Sequence, residues 1–91
     1  MIYRIITEDK DRSAVIQLTA GYFDGFSVKT QMGYWQGQPE SSIVIEIDNI
    51  ADDAQQESKI MELTRCIIKR NNQQAILVQR IQSDSELVWR S

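Results

Sequence analysis

Between Ser42 and Ile68 the hydrophobic period of the chain changes, and this change constrains the fold more than any other feature of the sequence. In SIVIEI, Ser42 to Ile47, residues Ile43, Ile45 and Ile47 fall on one face while Val44 and Glu46 take the other, the alternation of a strand. Further on, Ile60, Leu63, Thr64, Ile67 and Ile68 recur at helical intervals and form a single stripe. Asp53, with Gln56 three residues later, has the spacing of a side-chain cap with a reciprocal amide contact. A strand followed by an amphipathic helix needs its apolar face covered, which points to a sheet layered with helices.

The remaining segments extend this reading. Ile2 to Thr7, IYRIIT, is short and β-branched, and the polar run EDKD ends it as a strand. Asp11 has the chemistry to cap a helix over Arg12 to Ala20, with Gly21 expected to leave it in the left-handed conformation. Val15, Leu18 and Tyr22 form the stripe of that helix. Phe23 to Thr30 reads as a second strand, with Phe26, Val28 and Thr30 on one face and Ser27 and Lys29 on the other. Asn71 and Asn72 supply a left-handed exit from the second helix into a strand over Gln74 to Ile81, and Glu86 to Trp89 suits one more short extended piece.

The order is β-α-β-β-α-β, and 91 residues suit one domain. The expected fold is an α+β ferredoxin-like sandwich, with four antiparallel strands, two helices on one face, and residues 82–91 as a short extension. Ile5, Ile6, Val44 and the segment Ala75 to Val78 suggest a second sheet face that is partly apolar, so association of copies is expected to cover it.

Composition removes several chemistries. There is no histidine and one cysteine, which excludes cysteine–histidine catalysis, a serine–histidine–carboxylate site, histidine metal centres and an intramolecular disulfide within one chain. Cys66, beside the helical stripe, reads as a small structural residue. Thirteen acidic against ten basic residues give a charge of −3 without any lysine or arginine run, which disfavours nucleic acid as a partner. Lys69, Arg70 and Arg80 could still meet as a basic cluster formed by folding.

Two acidic groups, Glu8/Asp9/Asp11 and Asp48/Asp52/Asp53, sit where strand ends and helix caps need them, and neither follows the twelve-residue calcium loop. Asp24, Glu40 and Glu46 would support proton transfer only if a hairpin brought them together; otherwise they shape a turn, a solvated rim and an outward strand position. No metal or cofactor is expected. No stretch has the roughly 20 apolar residues of a membrane helix and no N-terminal signal core is visible, so no membrane association and a cytoplasmic location are expected.

The candidate site is MGYWQGQPE, Met32 to Glu40, within a loop taken as Gln31 to Ser41. Gly33 and Gly37 bracket Tyr34, Trp35 and Gln36 in a pattern that matches neither the GxxxxGK[ST] phosphate loop nor the GxGxxG dinucleotide turn. Tyr34 and Trp35 either cap the edge of the core or anchor a partner, with Glu40 as a peripheral electrostatic contact. Gln31, Gly33, Tyr34, Trp35, Gly37 and Glu40 are the binding candidates.

The stretch YFDGFSVKTQMGYWQGQPESSIVIEI, Tyr22 to Ile47, resembles a family of small uncharacterised bacterial and phage-type proteins with a YFxGFT-like start and a GYWxG middle. NNQQAILVQRI, Asn71 to Ile81, resembles their closing strand, and Ser27 stands at the threonine-like position. The element order is also similar, at the level of fold, to the PII and CutA superfamily, in which a long loop follows the second strand. That resemblance implies an oligomer, a trimer in preference to a dimer, with the Gln31 to Ser41 segment near subunit boundaries. The expected function is a non-enzymatic interaction or regulatory module that binds a host or regulatory protein. The alternatives are a PII-like small-molecule regulator and a small carboxylate-dependent enzyme.

Overall fold

The computed structural model describes residues 1–48, 54–84 and 86–90, with Trp35 described by its backbone alone. Six elements follow in order: β1 (Ile2–Glu8), α1 (Arg12–Ala20), β2 (Ser27–Trp35), β3 (Gln38–Asp48), α2 (Ala54–Asn71) and β4 (Leu77–Ile81). The strands form one sheet in the order β2-β3-β1-β4, and each neighbouring pair is antiparallel. Each helix thus joins two strands separated by a third, the interleaved arrangement of a ferredoxin-like α+β fold.

Register explains which face is buried. Tyr3, Ile5 and Thr7 lie opposite Ile47, Ile45 and Ile43, and all six are at most 3% exposed. All but Thr7 belong to the apolar core, together with Val15 of α1 and with Ile60, Leu63 and Ile67 from the α2 stripe. Two buried threonines on the helices direct their hydroxyls back to their own helix: Thr19 to the Val15 carbonyl at 2.8 Å and Thr64 to the Ile60 carbonyl at 2.7 Å. Neither hydroxyl therefore costs the core an unpaired polar group.

The local signals differ in outcome. Asp11 has φ 43° and accepts from the Ala14 amide at 3.4 Å, as a capping residue does. Gly21, expected in the left-handed region, is right-handed at φ −72°. The helix instead closes by a continuing turn in which the Tyr22 and Phe23 amides both donate to the Thr19 carbonyl at 3.0 Å. Phe23 is therefore drawn into the core beneath α1, and β2 begins at Ser27, four residues later than the alternation suggested. At the other helix Asn72 is left-handed, φ 54°, and the Gln73 amide reaches back to the Ile68 carbonyl at 3.0 Å. The Asp53 cap lies outside the described residues. β4 starts at Leu77 rather than Gln74, and residues 86–90 form no strand.

The largest departure is the segment from Gln31 to Ser41, which is not a loop. β2 and β3 stay paired without interruption from Ser27–Glu46 to Trp35–Gln38, leaving only Gln36 and Gly37 as the turn. Both turn residues have positive φ, 51° and 78°, as a two-residue turn of the type matching strand twist requires. Gln36 carries a strain that asparagine tolerates better. Gln36→Asn is expected to stabilise the hairpin by about 0.5–1 kcal/mol, read as a rise in thermal midpoint; an unchanged or lower midpoint would contradict this turn geometry.

Candidate functional site

The site is built by a difference in strand length. β1 ends at Glu8, opposite Ser42, whereas β2 and β3 continue to the turn. The four residues Met32 to Trp35 and the four residues Gln38 to Ser41 therefore form a two-stranded arm about 14 Å long beyond the sheet. The molecule is elongated, 48 × 25 × 21 Å.

The register also fixes the backbone direction along the arm. Trp35 and Gln38 close a two-residue turn and are a hydrogen-bonded pair, so Tyr34 and Pro39 form the next, non-bonded pair. Pro39, which has no N–H, thus occupies a position whose backbone nitrogen faces away from β2. The Asp9 amide donates to the Ser41 carbonyl at 3.3 Å, which confirms that odd-numbered residues of β3 face the β1 side. Asp9 Oδ2 further accepts from Ser41 Oγ at 3.0 Å and from Arg12 at 2.9 Å, tying the root of the arm to the start of α1. These two bonds, the arginine's first, hold the Asp9 carboxyl below its ordinary range.

Of the six sequence candidates, Gly33, Tyr34, Trp35 and Glu40 lie on this arm, Gly37 in its turn and Gln31 at its root. Tyr34 is 75% exposed and shares the helix-side face with Met32, 59% exposed, at a level the helices do not cover. Gly33 lies opposite Glu40, on the other face with Gln31, and Gly37 is in the turn. Gly33 is a strand residue, so its freedom is not used for a turn. The Trp35 side chain lies outside the described residues. Met32 was not singled out from the sequence. Its place on the same face as Tyr34, two residues away, was a usable signal once the segment was read as a strand. A cleft of about 300 Å³ at the root of the arm is lined by Gly33, Tyr34, Glu40, Ser42, Glu8 and Gln73, among others.

The other clusters are occupied by structural pairings. Glu46 is 3.0 Å from both Lys29 and Arg4, and these cations, Lys29 first, hold its carboxyl below the ordinary range. It lies six positions along β3 from Glu40, about 20 Å in a strand, and Asp24 is in the turn before β2, so the carboxylate trio is not assembled. Arg70 pairs with Asp11 and Arg80 with Glu57, at opposite ends of α2 and about 20 Å apart, which divides the basic candidates. Lys10 pairs with Glu8. Asp52 and Asp53 lie outside the described residues, and among the described residues no group of three acidic or cysteine side chains is placed to hold a metal. No helix among them is long and apolar enough to cross a membrane. Cys66 is half-buried, with its sulfur 3.6 Å from the Tyr22 hydroxyl. That contact is the main reason the Tyr22 phenol is pushed up to about 12.

Glu57 joins three elements. It accepts from Arg80 of β4 at 2.8 Å and from the Tyr3 hydroxyl of β1 at 2.5 Å, and Arg80, then Tyr3, lowers its pKa from the ordinary 4.5. A carboxylate depressed in the folded state stabilises above its unfolded pKa and loses that contribution as pH falls through the folded value. Glu57→Gln is therefore expected to flatten the fall in thermal stability below about pH 4.5, modestly because the pair is more than a third exposed. An acid profile unchanged by the substitution would contradict the assignment.

Fold and arm together define a small ferredoxin-like α+β domain carrying a two-stranded extension with an exposed aromatic and an exposed methionine on one face. No protein-family model matches the chain, and no curated protein matches it.

Proposed function

We propose that this protein is a non-enzymatic, oligomeric interaction module that docks a host or regulatory protein through the segment Gln31 to Ser41, which comprises the arm and its root. The observation that carries the proposal is Tyr34: a large ring 75% exposed, beside Met32, on a strand-paired arm that continues beyond the end of β1. Aromatic and methionine side chains supply much of the energy of protein interfaces because they remove apolar area from water, and a tyrosine keeps a polar handle for direction. A strand-built arm loses less conformational entropy on docking than a flexible loop would. Glu40, exposed at the root, is a peripheral acidic contact suited to a basic partner group.

The cleft at the root supports a second reading, a PII-like regulator that binds a small molecule, since its volume is at the lower bound of ordinary ligand sites. Affinity capture from the native host, with a Tyr34→Ala/Trp35→Ala variant as control, separates the two. Loss of one specific protein in the variant supports docking. Unchanged protein capture together with a retained small molecule supports the regulator.

A further inference from the structure

We propose that the outer edge of β2, running from the sheet into the arm, takes a second copy of this chain, docked strand to strand about a two-fold axis at Gln31. The inference rests on the reading of the arm as a docking element and names the partner for one of its surfaces.

The alternation of bonded pairs decides what the edge presents. Ser27, Lys29, Gln31 and Gly33 direct their backbone groups to β3, so Val28, Thr30, Met32 and Tyr34 direct theirs outward. Because β2 ends the strand order, four N–H and four C=O groups have no strand beside them among the described residues. An uncovered edge of this kind is a template for strand addition unless something blocks it. The other edges are blocked or short. The free side of β3 in the arm carries Pro39, and β4 has five residues, of which Val78 and Arg80 face outward. β2 has nine residues, no proline and no bulge in its pairing. Its one charge, Lys29, is held 3.0 Å from Glu46.

The identity of the partner follows from the complementarity of β2 with itself. An antiparallel copy centred with Gln31 opposite the partner's Gln31 places Val28 opposite the partner's Tyr34 and Thr30 opposite the partner's Met32. All four outward residues of each copy then form bonded pairs, about eight backbone hydrogen bonds in total. The exposed Tyr34 and Met32 gain cross-strand neighbours on the helix-side face, one pair being the aromatic with β-branched combination that strands favour. Lys29 faces the partner's Gly33, so no like charges meet. The product is a continuous eight-stranded sheet with all helices on one face, and a two-fold contact closes at two copies. The resemblance to ring-forming subunits implies three, so particle mass discriminates.

Sedimentation across a concentration series is the test, with secondary structure followed by circular dichroism. The native chain is expected at twice 10.5 kDa in the micromolar range. Thr30→Lys/Met32→Lys puts lysine opposite lysine in two pairs and is expected to weaken association at least tenfold while leaving the fold intact, because both residues are exposed. Thr30→Lys/Met32→Glu puts lysine opposite glutamate and is expected to restore the dimer. A native monomer, a three-copy mass, a Lys/Lys variant that remains dimeric, or a Lys/Glu variant as weak as Lys/Lys would each overturn the proposal. If the native chain is not a dimer yet loses a captured protein on Tyr34→Ala/Trp35→Ala, self-pairing fails and the docking reading stands. If the dimer responds to charge as expected but no captured protein depends on the arm, the heterologous partner is the part that fails.

Discussion

Ile45→Ala is expected to destabilise the protein by about 3 kcal/mol, the range for truncating a fully buried isoleucine in a core that cannot collapse around the cavity. Ile45 is 0% exposed on β3, with Ile5 opposite it on β1 and Val28 opposite it on β2, so removing its side chain opens space at the meeting point of three strands. A domain this small has a total stability of order 5–15 kcal/mol, so the thermal midpoint should fall by roughly 15 °C. Met32→Ala, at a position 59% exposed, should change stability by no more than about 0.5 kcal/mol. Equal effects at the two positions would mean that the sheet register, and with it the assignment of faces, is wrong.

The second large effect is on binding. Tyr34→Ala/Trp35→Ala is expected to weaken partner affinity about thirtyfold or more, corresponding to the roughly 2 kcal/mol associated with an interface anchor. Circular dichroism and the thermal midpoint should stay close to those of the native chain, because Tyr34 stands out from the core rather than capping it. A variant that loses its fold along with its binding would return these side chains to a structural role. One that keeps both would remove them from the interface.

The elements that could be read in the sequence are those whose pattern is local. The alternation in Ser42 to Ile47 and the stripe from Ile60 to Ile68 depend only on spacing; Ile43, Ile45, Ile47, Ile60, Leu63 and Ile67 recur in the core, while Ile68 is half-buried. Asp11 and Asn72 act within one turn of helix: the Asp11 carboxylate accepts a backbone amide where the sequence suggests a cap, and Asn72 is left-handed where it suggests an exit. The misreadings have a different origin. Gly21 has the freedom for a left-handed exit but continues right-handed, because the amides that follow find the Thr19 carbonyl and Phe23 has a place in the core. The glycines and proline of the arm suggested a loop, since each disfavours a strand in isolation. Gly33 is opposite Glu40 within a paired strand, and Pro39 is at a position where the missing N–H is not needed by β2. Only the pairing register, a non-local property, distinguishes such a strand from a loop. The aromatic residues were legible as a candidate site, whereas Met32 and the outward edge of β2 depended on knowing that the segment is extended.

Amide hydrogen exchange along β2, resolved by residue and repeated across protein concentration, tests most directly whether this arm is where the chain meets another polypeptide. The amides of Lys29, Gln31 and Gly33 bond to β3 and should be protected at every concentration. Those of Val28, Thr30, Met32 and Tyr34 should exchange freely when dilute and become protected as copies associate. Free exchange of these four at all concentrations, with or without captured protein present, would contradict the account.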